Sequence, residues 1–141
     1  MVKLYHWKTL SYSQHKATDE LYAKLNKSID SFIEVLLGKE ERRIKMLEKR
    51  IDLIDPSNTQ DFKSRIYGYR EFLIDINLFF DDKKDTDLLS IRDEILSDIN
   101  QFLYFPDPSK SNKKSFSFVE LISLVKKIKS LDNSVNFSLI S

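Results

Sequence analysis

The sequence predicts an all-α fold, a small bundle of long amphipathic helices. Three observations carry this expectation. The 141 residues include only 2 glycines and 3 prolines, too few to punctuate the many turns of a β protein. Apolar residues recur at steps of three and four through most of the chain, the spacing that lines one face of a helix. Hydrophobic residues make up 41% and charged residues 32%, enough for a single core under a well-solvated surface.

The first strong pattern runs from about Ser13 to Leu37, with Ala17, Leu21, Leu25, Ile29, Phe32, Ile33 and Leu36 in phase. Gly38 follows and is expected to cap this helix, because glycine enters the left-handed region without a Cβ clash. Glu40–Leu53 is highly charged but keeps Ile44, Leu47 and Ile51 at helical spacing, and reads as a short helix or a helical connection. Asp55-Pro56-Ser57-Asn58 is a turn, since Pro56 disfavours helical backbone at Asp55. The next helix is expected from Thr59 to Phe80, with Phe62, Ile66, Tyr69, Phe72, Leu73 and Ile76 inward. After a polar connection at Asp81–Asp85, Thr86–Tyr104 repeats the pattern through Leu88, Ile91, Ile95, Ile99, Phe102 and Leu103.

Phe105-Pro106-Asp107-Pro108 ends that helix and divides the chain. Residues 1–105 are expected to form the bundle. Residues 106–141 read as a polar linker and a short C-terminal amphipathic helix over Phe118–Leu131. The six tyrosines, Tyr5 among them, are expected at the bundle edge with their hydroxyls in water, and Trp7 in the core or an interface.

A net charge of +1 gives no global case for nucleic-acid binding. Lys110, Lys113, Lys114, Lys126, Lys127 and Lys129 in the C-terminal segment are the one place to contact phosphate, and a solvated tail is the plainer reading. No apolar run approaches the roughly 20 residues needed to cross a bilayer, and the N-terminus has no signal-peptide core. The expected location is therefore the cytoplasm or the inside of a virus particle. Cysteine is absent, so a bound metal would use imidazole and carboxylate, donors that suit iron, zinc or manganese better than copper(I).

The chain has 2 histidines, His6 and His15, with Asp19, Asp30 and Glu34 following on the first long helix. On an ideal helix with His15 at zero, Asp19 falls near ~40°, Asp30 near ~60° and Glu34 near ~100°, so all four share one face. The pairs His15/Asp19 and Asp30/Glu34 are nonetheless separated by a rise of roughly 22 Å, too far to share one ion within the helix. An antiparallel two-fold pairing centred near Lys24 and Leu25 sets each pair opposite the other and creates two equivalent sites per dimer. A metal at these residues therefore requires a second copy of the chain.

The run His6-Trp7, His15, Asp19 and then Asp30-x-x-x-Glu34 resembles the ferroxidase signature of the Dps-type mini-ferritins. It is also similar to uncharacterised proteins of large DNA viruses that carry a Leu-Tyr-His-Trp opening and a His-Lys-Ala-Thr-Asp-Glu-Leu-Tyr run. The resemblance implies a ferritin-like bundle with a truncated first helix, since five residues precede His6, and with an extra C-terminal helical segment. It implies His15, Asp19, Asp30 and Glu34 as ligands of Fe(II) at an intersubunit site, with His6 as a fifth candidate across an interval a few residues shorter than the family's. The activity implied is oxidation of Fe(II) by peroxide or oxygen. The ordinary ferritin Glu-x-x-His pair is absent. The alternative expectation is a non-catalytic structural or assembly protein, such as a minor or internal virion component, that keeps the fold and contacts other structural proteins through exposed aromatics.

Overall fold

The computed structural model describes residues 1–41, 43, 54–104 and 122–124. The chain divides into two compact units, Met1–Pro106 and Asp107–Ser141. Of the second, only residues 122–124 are described, and they are helical. The helical expectation for Glu40–Leu53 and the full extent of the C-terminal helix lie outside the described residues. The described residues of the first unit form four α-helices: α1 Val2–Lys8, α2 Tyr12–Lys39, α3 Thr59–Asp75 and α4 Thr86–Tyr104. No strand occurs among the described residues, so the protein is all-α there, and none of its described helices is long and apolar enough to cross a membrane.

Helix α1 has only 7 residues, too short to persist alone in water. Packing holds it: Tyr5 and His6 are buried against the long helices. The Tyr5 ring stacks on Phe62 at 4.0 Å, and Phe62 meets the edge of Phe102 at 5.9 Å. The Tyr5 hydroxyl lies 3.0 Å from Gln14 Oε1 and 2.8 Å from Thr59 Oγ1, joining the starts of α2 and α3. Tyr5 is thus a core residue with an internal hydrogen-bond network, contrary to the bundle-edge expectation. Trp7 on the opposite side of α1 is 68% exposed and no part of the core.

Helix α2 begins at Ser11, whose side chain accepts from the Gln14 N–H, and runs 28 residues without a break, about 42 Å. It passes through Gly38, which is not left-handed. The chain turns instead at Glu41, where φ is 51°. The last turn is anchored by Lys39, which pairs with Asp85 at 3.0 Å and Asp87 at 2.9 Å and donates to the Lys84 carbonyl. A cation at the end of α2 meeting carboxylates at the start of α4 suits both helix dipoles. This anchor carries the helix beyond the expected glycine cap.

Helix α3 is capped by Asn58, which accepts from the Asp61 N–H at 2.9 Å, while Asp61 accepts from the Ser57 N–H at 2.9 Å. The α-helix expected to reach Phe80 ends at Asp75 and tightens into a single 3-10 turn over Ile76–Leu78. The connection to α4 is shaped by Asp81, which accepts from the N–H groups of Lys83 and Lys84. Helix α4 coincides with its expected range.

Helices α2 and α3 each lie on α4, antiparallel to it, and make little direct contact with one another. The core is Tyr5, Leu21, Phe62, Ile66, Leu73, Ile95, Ile99 and Leu103. Arg92 interrupts the apolar stripe of α4 between Leu88 and Ile95 and is 7% exposed. Its terminal Nη1 donates to the Leu73 carbonyl at 2.8 Å, meeting one of the orphan acceptors in the last turn of α3.

Candidate metal centre

A three-residue turn after α1 sends the chain back along it into α2. Gln14 Oε1 accepts from the hydroxyls of Thr9 and Tyr5, which fixes the angle of the reversal. The consequence is that His6 and His15, nine residues apart, face each other with ring centroids 3.8 Å apart and planes inclined by 29°. The His6 Nδ1 lies 2.9 Å from the His15 main-chain carbonyl, and the His15 Nδ1 lies 3.1 Å from that of His6. A carbonyl only accepts, so both Nδ1 atoms carry a hydrogen. In the neutral imidazoles this leaves each Nε2 with a lone pair.

Thr18 completes the floor of this pair. Its hydroxyl lies 2.7 Å from the Gln14 carbonyl and 3.4 Å from His6 Nδ1, and the residue is fully buried. His6 is 6% exposed, whereas His15 sits at the surface. Asp19, one turn beyond His15, brings its Oδ1 to 3.8 Å from His6 Nε2. A hydrogen bond and the charge of Lys3, whose Nζ is 3.2 Å from the same oxygen, hold the Asp19 carboxyl below the usual range. With 61% of its side chain exposed, Asp19 is an ionised group at the edge of the cluster.

The structure therefore brings together His6, His15 and Asp19 and leaves Asp30 and Glu34 apart from them. The short interval between the histidines does not keep His6 away, because the turn folds α1 flat against α2. Asp30 and Glu34 are exposed further along α2 and have no hydrogen-bond or ion-pair partner among the described residues. Among those residues no group of three or more His, Asp or Glu side chains is placed to hold one ion within a single chain.

Two contributors went unread in the sequence. Lys3 carries no motif, and only the folding of α1 onto α2 sets it beside Asp19. Thr18 lies three residues after His15, hence on the neighbouring face of the helix, and that spacing was a signal for it. The candidate ligands remain divided within the chain, with imidazoles and one carboxylate near one end of α2 and two carboxylates near the other.

No curated protein and no solved structure is a match for this chain. Residues 6–105, which take in both histidines and all of α2, α3 and α4, match a family of unknown function (DUF5856), and the chain belongs to that family.

Proposed function

We propose that the protein is a Dps-like, ferritin-fold chain that self-associates through α2 and takes Fe(II) as substrate at an intersubunit site. His6, His15 and Asp19 of one copy would face Asp30 and Glu34 of the other. The observation that carries this reading is the mutual carbonyl clamp on the two imidazoles. Metal-binding histidines are commonly held by a hydrogen bond from the second ring nitrogen, which fixes the tautomer and leaves the other nitrogen to the ion. Here both rings are held in that way beside an ionised carboxylate.

The α2 surface supports the pairing. Around the proposed two-fold centre, Ala23 of one copy falls opposite Asn26 of the other, and both are exposed. Small side chains there allow two helices to approach closely. The same operation sets Asp19 against Asp30 and His15 against Glu34. Carboxylates favour the ferric product over Fe(II), which directs electrons from the iron to the oxidant. The redox chemistry belongs to the iron, and the chain supplies donors, charge and position.

Anaerobic titration of the full chain with Fe(II), followed by peroxide, tests this reading. Saturable binding and rapid ferric formation are expected for the native protein, and both are expected to fall sharply in an Asp30→Ala, Glu34→Ala variant. Unchanged iron oxidation in that variant, or a strictly monomeric native protein, would sink the proposal.

A non-catalytic assembly role is the second reading, favoured by large apolar side chains in water. Leu78 is 83% exposed, Phe79 77% and Tyr104 83%, and such surfaces commonly mark contacts with other chains. Self-association without iron oxidation would favour it.

A further inference from the structure

Two side chains of α1 converge on one carboxylate oxygen of α2. Asp19 Oδ1 lies 3.2 Å from the Lys3 ammonium and 3.8 Å from His6 Nε2, the ring nitrogen that carries the lone pair. Lys3 precedes His6 by three positions, so one turn of α1 sets both on the face that meets Asp19. A lone pair and an anionic oxygen that face each other repel unless a positive centre joins them. The Lys3 ammonium supplies that centre, at an oxygen that a bound metal ion would also need.

Its hold is light. The side chains of Lys3 and Asp19 are 33% and 61% exposed, and ion pairs in such surroundings contribute little and part readily. The ammonium also has a second seat. Its Nζ stands 5.0 Å from the Tyr22 ring centroid and 6.0 Å from that of Trp7, within reach of a cation–π contact. Tyr22 follows Asp19 by three positions and so lies beside it on the surface of α2.

We infer that Lys3 is the resident cation of the candidate metal centre: it neutralises Asp19 in the metal-free chain and yields to a divalent ion by moving onto Tyr22. The inference rests on the proposed iron reading and deepens it. Asp19 meets a positive charge in both states, and an incoming ion must displace the ammonium. Exchange of one single charge for another gains nothing by Coulomb attraction, whereas a doubly charged ion gains by it. The arrangement thereby favours divalent ions over sodium and potassium.

Two measurements on the full chain test this. In anaerobic calorimetry with Fe(II), Lys3→Met is expected to bind about two- to fivefold tighter than the native protein, the worth of one exposed ion pair that no longer has to be broken. Lys3→Arg is expected to keep the native affinity. Tyr22→Leu is expected to weaken Fe(II) binding when Lys3 is present and to change nothing in the Lys3→Met background. In proton NMR of the native protein with Zn(II), a diamagnetic ion that accepts imidazole and carboxylate donors, the Lys3 Cε protons are expected to move upfield as they come over the Tyr22 ring. That second readout needs no variant to fold. Unchanged or weaker Fe(II) binding in Lys3→Met, with native binding intact, would overturn this inference and leave the iron reading standing. So would Lys3 signals that stay still at Zn(II) concentrations that shift the His15 ring signals. Absence of saturable Fe(II) binding in both the native protein and Lys3→Met would overturn the two together.

Discussion

His6 and His15 each donate a ring N–H to the main-chain carbonyl of the other, so that two side chains and two peptide groups form one closed unit between α1 and α2. The unit is structural before it is chemical. It ties a helix of 7 residues to one of 28.

Loss of the buried member should therefore be felt as lost stability. His6→Ala removes a ring that is 6% exposed together with its hydrogen bond to the His15 carbonyl, and a cost of about 2 kcal/mol is expected. His15→Ala, at the surface, should cost less. Urea denaturation followed by circular dichroism separates the two, and equal costs would contradict the described burial.

Phe62 and Phe79 offer a sharper contrast. Phe62 is 1% exposed between the Tyr5 and Phe102 rings, and Phe62→Ala is expected to cost about 3–5 kcal/mol. Phe79 is 77% exposed, and its replacement by alanine should leave the unfolding midpoint unchanged within about 0.5 kcal/mol. A large effect at Phe79 that grows with protein concentration would identify it as an interface residue.

Acid and alkali should act on the same anchor. A hydrogen bond from Lys39 holds Asp87 below the usual carboxyl range, and hydrogen bonds from the Asp81 N–H and then Lys39 do so for Asp85. The stability they confer is complete above the unfolded carboxyl value and declines as pH falls through the lower folded values. Hydrogen bonds donated to Asp87 and then Asp85 raise Lys39 above the ordinary ammonium value, so its share is complete below that value and is lost as pH rises through the folded one. In Lys39→Gln, the dependence of the urea midpoint on pH should flatten at both extremes, with little change in shape near neutrality.

Mixing two inactive variants tests the intersubunit arrangement directly. On the proposed arrangement, His15→Ala and Asp30→Ala, Glu34→Ala chains each lack one half of the site. In a heterodimer of the two, one site is doubly damaged and the other is wholly native. Refolding them together in equal amounts should restore about a quarter of the native iron-oxidising capacity, from one intact site in half of the dimers. Recovery of none would place all ligands in one chain or remove the site altogether.

The helical architecture was readable because periodicity reports burial along a helix. Helix α4 coincides with its expected range, and α2 begins and ends within two residues of its own. What periodicity could not convey was contact between elements. Helix α1 is too short to show a repeat, and its place is set by Tyr5 meeting Phe62, 57 positions later in the chain. Gly38 looked like a helix end by local chemistry, but the ion pairs of Lys39 with Asp85 and Asp87 decided otherwise. Arg92 stands in phase with Leu88 and Ile95, but a pattern of apolar residues gives no signal for a buried cation. The histidines were legible as a pair, but their mutual clamp was not, because it depends on a turn with no distinctive residue.

The unbroken run of α2 makes the chain intolerant of changes in length there. One residue inserted between Asp19 and Asp30 would rotate everything beyond it by about 100° and shift it by about 1.5 Å. Leu25 and Ile29 would leave the apolar stripe they share, and the two carboxylates would turn off the face that carries His15. Seven residues would restore the rotation to within about 20°, yet would displace the far half by about 10 Å and move Lys39 away from α4. Substitutions along this helix can be absorbed one at a time; insertions and deletions cannot.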